Sequence, residues 1–201
     1  MQYVNKALER TLRHHNPYPA VVMDRYWNVF MANQSSLQFF NCFIDMEARK
    51  GPRNLLHLMF DPEGMRPFII GWERVARSLL QRVLRESVGR LMDDATRALV
   101  ATLLAYPEVE TEWQKPAVGM DANDTLPVIP LSFAKDGLIL NYFSMVSTVG
   151  TPQTIAAQEL RVECMFPADD VTEHHHDLLM ASAPKPSDPR SHRSHSIWPR
   201  G

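Results

Sequence analysis

The chain has 201 residues, 45% hydrophobic and 22% charged, enough for one packed domain, and its net charge of −2 gives no overall pull toward nucleic acid. No run approaches the roughly 20 apolar residues that span a bilayer, and residues 1–15 lack the continuous apolar stretch of a secretory signal, so the chain reads as cytoplasmic. Cys42 and Cys164 stand among apolar neighbours and read as buried free thiols in a reducing compartment.

In chain order, Val4, Ala7, Leu8 and Leu12 recur at helical spacing, which predicts a short amphipathic helix stopped by Pro17 and Pro19. Residues 1–16 are expected to be a connector helix, with His14 and His15 at the end that the carbonyl dipole favours. Residues 20–23 and 28–32 flank a polar Asp24-Arg25 turn and predict a hairpin, with Trp27 at the start of its second strand. Ser35 or Ser36 is placed to cap a short helix carrying Leu37, Phe39, Phe40 and Phe43. Asn54 is placed to cap a turn with Leu55, Leu58 and Met59, and Asp61-Pro62-Glu63 has the form of a helix start.

The strongest periodicity comes next. Trp72, Val75, Ala76, Leu79, Leu80, Val83 and Leu84 predict an amphipathic helix of about five turns, with Arg74, Arg77, Gln81 and Arg85 on its other face. Asp93 or Asp94 caps another helix, which ends near Tyr106-Pro107. From Pro127 the period changes to two. Residues 128–133, 138–147 and 159–166 predict an antiparallel meander turning at Asp136-Gly137. Asp169 begins a last helix through Met180, and residues 183–201, rich in Pro, Ser and His, are expected to be a disordered tail.

His174-His175-His176 suggests a metal, but consecutive helical residues project about 100° apart and cannot share one ion. With no HExxH and no Cys pair at zinc spacing, they read as a solvated helix face. Gly-x-Ser-x-Gly, a Gly-rich phosphate loop and a Cys–His motif are all missing, and Asp121, Asn123 and Asp124 lack calcium-loop spacing. The expectation is a protein that is not an enzyme, with no catalytic residue, metal or cofactor. Arg66, Arg74, Arg77, Arg82, Arg85 and Arg90 read as a solvated face. The surplus of aromatic residues and methionines suits a filled core or the walls of an apolar pocket, with His57, Arg66, Arg74 and Tyr142 as candidates for holding a polar head group.

Two signatures carry a resemblance. Pro17-Tyr18-Pro19-Ala20-Val21-Val22-Met23-Asp24-Arg25-Tyr26-Trp27-Asn28-Val29 is one, and the other is Gly150-Thr151-Pro152-Gln153 running on to Glu159-Leu160-Arg161-Val162-Glu163-Cys164-Met165-Phe166-Pro167-Ala168-Asp169. Between them lie Asn54-Leu55-Leu56-His57-Leu58, Asp61-Pro62-Glu63-Gly64-Met65, Trp72-Glu73 and Leu103-Leu104-Ala105-Tyr106-Pro107. From about Leu12 to Leu179 the chain resembles the ligand-binding domain of MmyB-like transcription regulators of the XRE family.

The resemblance implies an α+β, PAS-like domain over residues 17–182, an antiparallel sheet with helices packed over one face. It also implies a pocket for a small apolar molecule such as a fatty acid, placed between the sheet and the Trp72 helix. The residues expected to line it are Phe30, Phe40, His57, Arg66, Phe68, Trp72, Val75 and Tyr142. DNA would be reached only through a helix-turn-helix, for which the residues before Pro17 are too few. The expected partners are a second copy in a homodimer or a full-length regulator, with no membrane. The alternative is a dimerisation or interaction module with a filled core and no ligand.

Overall fold

In the computed structural model, which describes residues 2–88, 93–115, 128–149 and 160–182, every segment with period-two patterning is a strand. β1 (Ala20–Met23), β2 (Val29–Ala32), β3 (Val128–Lys135), β4 (Leu138–Val149) and β5 (Leu160–Pro167) form one antiparallel sheet in the order β2-β1-β5-β4-β3. The hairpin and the meander join where β1 pairs with β5, with Val21 opposite Glu163 and Met23 opposite Arg161. Asp136 and Gly137 both take positive φ, 50° and 80°, the twist a two-residue hairpin loop needs.

The described helices are α1 (Gln2–His14), α2 (Gln34–Asn41), α3 (Leu55–Phe60), α4 (Trp72–Val88), α5 (Asp94–Leu104) and α6 (Asp170–Ser182). This is an α+β architecture. Asn54 caps α3, its side-chain oxygen accepting from the amides of Leu56 and His57 at 3.0 and 3.3 Å. Asp93 caps α5 by accepting from the Thr96 amide at 2.8 Å.

Alternation along the strands divides the apolar residues between two faces. Val21, Met23, Leu131, Phe133, Leu140, Tyr142 and Met165 belong to the main core with α2 to α5. Ala20, Val22 and Val162 point the other way and pack with Leu8 and Leu12 of α1. All four residues of β1 are therefore buried. The sheet has its main helical layer on the inner face and α1 across part of the outer one. Farther along that outer face Ile139 and Met145 of β4 are about half exposed.

Four local expectations are corrected. Trp27 does not begin a strand: it takes φ 68° at the end of a turn held by Asp24, whose Oδ1 accepts from the amides of Tyr26 and Asn28. The cap of α2 is Asn33 rather than Ser35 or Ser36, because its side-chain oxygen reaches the Ser36 amide at 2.9 Å while both serines lie inside the first turn. Asp61 ends α3 rather than starting a helix, and its carboxylate accepts from the Glu63 amide in a turn leading to a 3₁₀ segment at Arg66–Phe68. Gln81 is buried, not solvated: its amide donates to the carbonyls of Trp113 and Lys115 and ties α4 to the segment after α5. The expected tail at 183–201, Arg90, the Asp121–Asp124 loop and the first part of the second signature lie outside the described residues.

Candidate ligand-binding site

The chain reaches α4 by a close turn. A Cβ on Gly64 would lie 2.5 Å from the Leu58 carbonyl oxygen, so only glycine lets the backbone pass there. The 3₁₀ segment and Gly71, at φ 65°, then deliver Trp72 to the first turn of α4. Beside that turn opens a cleft of about 920 Å³, lined among others by Pro62, Pro67, Gly71, Trp72, Arg74 and Pro107.

Arg66 lies across one wall of the cleft. Its guanidinium sits 3.7 Å from the centroid of the Trp72 ring, donates to the Pro107 carbonyl at 2.7 Å and pairs with Glu108. The Trp72 indole N–H donates to the Met59 carbonyl at 3.0 Å, so the ring is held from both sides. Glu73 and Glu108 line the cleft along with Arg66 and Arg74, and the four formal charges cancel.

The eight residues expected to line a pocket fall in four places. Arg66 and Trp72 meet at the cleft, and Val75 is buried one turn along α4. Phe40, Phe68 and Tyr142 belong to an aromatic cluster beneath the sheet, where Phe39 and Phe43 connect them at ring separations of 5.1 to 5.6 Å. His57 lies at the seam of α3 and the end of α5, its Nδ1 2.9 Å from the Tyr106 hydroxyl, and burial pushes its pKa below the ordinary 6.5. Phe30 is 43% exposed. It is the extra residue of a bulge, since Val22 pairs with Met31 and Met23 with Val29.

Two polar groupings escape sequence reading. The first corrects the histidine run: His176 is fully buried rather than solvated, with Nδ1 2.7 Å from the Tyr142 hydroxyl and Nε2 3.0 Å from the Pro17 carbonyl. The signal was there in the spacing of the buried Thr172, His176 and Leu179, which is i, i+4, i+7. The second is a set of charges between α4 and the inner sheet face. Arg161 pairs with Glu86, which also accepts from Arg82 Nε at 2.9 Å. Glu163 beside them is buried, and desolvation pushes its carboxyl pKa up against the opposing pull of Ser144 and Arg82. Nothing in a strand pattern marks these charges as internal.

The model of the MmyB-like transcription regulator ligand binding domain matches residues 4–179. The chain belongs to this family. An MmyB-like domain is the ligand-binding part of a transcription regulator, which is not an enzyme class. No curated protein matches the sequence. Among the described residues of this MmyB-like domain, no three His, Cys, Asp or Glu side chains are grouped to hold a metal ion, and no helix is long and apolar enough to cross a membrane.

Proposed function

We propose that this chain is the PAS-like sensory domain of a bacterial, cytoplasmic transcription regulator. It binds a small apolar, fatty-acid-like molecule at the cleft beside the first turn of α4, since core side chains fill the space between that helix and the sheet, and passes the event to a second copy or to a full-length regulator, which carries the DNA-reading helix-turn-helix. Family membership supports the sensory role. The PAS-like reading is supported by the element order, a hairpin, a run of helices and a three-strand meander that returns β5 beside β1.

The observation that carries the site is the cleft at the first turn of α4, with an apolar Trp72 and proline wall and two arginines at its edge. An alkyl chain suits the apolar wall, and a carboxylate suits Arg74, since Arg66 is taken up by Glu108 and the Pro107 carbonyl. Only a ligand with different affinity for two arrangements of the domain switches anything.

The test is mass spectrometry of the organic extract of the purified protein, followed by calorimetric titration of the delipidated protein with dodecanoic and tetradecanoic acids. A stoichiometric lipid, or saturable binding that an Arg66→Ala plus Arg74→Ala variant loses while keeping its circular dichroism, supports the reading. No lipid and no binding would favour the interaction module. That reading has its own support in the filled aromatic cluster beneath the sheet and the half-exposed Ile139 and Met145 on its outer face.

A further inference from the structure

The segment between α1 and β1, residues 15–19, is held from several sides. His15 Nε2 lies 2.8 Å from the Met165 carbonyl on β5, and the Met165 amide donates to the Pro19 carbonyl at 2.9 Å. The Asn33 side-chain amide donates to the carbonyls of Tyr18 and Leu12 at 2.7 and 3.3 Å. The Tyr18 hydroxyl donates to Glu173 of α6 at 2.7 Å.

One further contact runs inward. The Pro17 carbonyl accepts only, so His176 Nε2 must carry the proton that meets it at 3.0 Å. In the neutral imidazole Nδ1 is then an acceptor, and the Tyr142 hydroxyl 2.7 Å away must donate. The direction of the chain is therefore determined: Tyr142 O–H to Nδ1, then Nε2–H to the Pro17 carbonyl. The Tyr142 ring itself packs on Phe39 and Phe133, at 5.6 and 6.3 Å, inside the main core. The other tautomer would set two acceptors, the bare Nε2 and the Pro17 carbonyl, face to face and leave that carbonyl without a proton.

We propose that the Tyr142–His176–Pro17 chain couples the packing of the inner sheet face to the seating of α1. A displacement of Tyr142 or of α6 that breaks the link frees the Pro17 carbonyl and loosens the junction through which α1 is held on the outer face. The coupling runs through the buried His176 imidazole beside the other ties of the junction, and it does not depend on what occupies the cleft.

The experiment is hydrogen–deuterium exchange on the full chain, combined with imidazole ¹⁵N shifts. Tyr142→Phe keeps the ring and removes the donor, while Leu80→Ala loosens the same core from α4, away from the Tyr142 ring. In the wild type His176 is expected wholly as the Nε2–H tautomer. In Tyr142→Phe, amides of residues 8–16 and of Tyr18 are expected to exchange about tenfold faster, the scale of one lost hydrogen bond, with β3 and β4 amides changed no more than in Leu80→Ala. An Nδ1–H tautomer in the wild type, unchanged α1 exchange in Tyr142→Phe, or equal acceleration of α1 in Leu80→Ala would each overturn the proposal.

Discussion

Burial is the largest influence on His176 and lowers its basicity, against the opposing pull of the Pro17 carbonyl and Asp177. Tyr142 faces it from β4, Tyr18 from the junction and Phe39 from α2. Because the folded pKa lies below the unfolded 6.5, the unfolded chain takes the proton first. This contribution to stability is whole above about pH 6.5 and is lost as pH falls through that value toward the folded one. His57 acts in the same sense. Urea unfolding is expected to show a lower midpoint at pH 5.5 than at 7.5, with a smaller difference in His176→Gln; an equal difference would assign the effect to other groups. Glu163 has the opposite sign. Its raised pKa makes ionisation costly in the folded state, so stability falls as pH climbs past its unfolded 4.5. Glu163→Gln keeps the shape without the charge, and thermal melts at pH 7.5 are expected to give an equal or higher midpoint. Asn33 serves three elements, accepting from the amides of Ser36 and Ala20 and donating to the Tyr18 carbonyl. Asn33→Ala is expected to cost about 2 to 4 kcal/mol, a lost cap plus orphaned buried amides, read by denaturant titration.

Among the elements, α4 was the most legible, because its apolar positions follow the helical period and the structure buries Trp72, Val75, Ala76, Leu79, Leu80 and Val83. Leu80 is fully buried, and Leu80→Ala is expected to cost about 2 to 5 kcal/mol by calorimetry or urea titration. Asp61-Pro62-Glu63 was misread because the same triplet serves a turn as well as a helix start. What chose the turn was the close pass of Gly64 against the Leu58 carbonyl, a contact with no local signal. α1 was legible as a helix, but its place was not. At 13 residues it is marginal in isolation, and Leu8 and Leu12 anchor it to Ala20, Val22 and Val162. Leu8→Asp is expected to detach it, lowering the helical circular dichroism while near-ultraviolet signals from Trp27 and Trp72 persist; loss of both together would mean that α1 is integral to the core.

For the whole molecule, the sheet separates two apolar layers, and the Tyr142–His176–Pro17 chain runs from the inner one to the segment between α1 and β1. The candidate site divides along the same lines. Arg66 and Trp72 were each legible as pocket candidates from residue type, but their stacking depends on the turn that brings the 3₁₀ segment against α4. Phe30 looked like a pocket wall only because its type is apolar, and the bulge that leaves it exposed is a matter of register between β1 and β2. Residues Ile139 and Met145 test the interaction module. If that reading holds, Ile139→Lys plus Met145→Lys is expected to reduce self-association in sedimentation while leaving the melting temperature within about 2 °C, as surface changes do.

The sequence by itself determined the kinds and order of elements, the α+β class and the family, because period, turn residues and motif order are properties of neighbours along the chain. Tertiary structure alone decided which face each helix covers, that one histidine of three is buried, and that Arg161 and Glu163 of β5 lie inside. The physical reason is that these depend on strand pairing between residues more than a hundred positions apart: β1 lies beside β5, the layers on the sheet bury all of β1 and the Arg161, Glu163 and Met165 face of β5, and burial then sets protonation and hydrogen-bond direction.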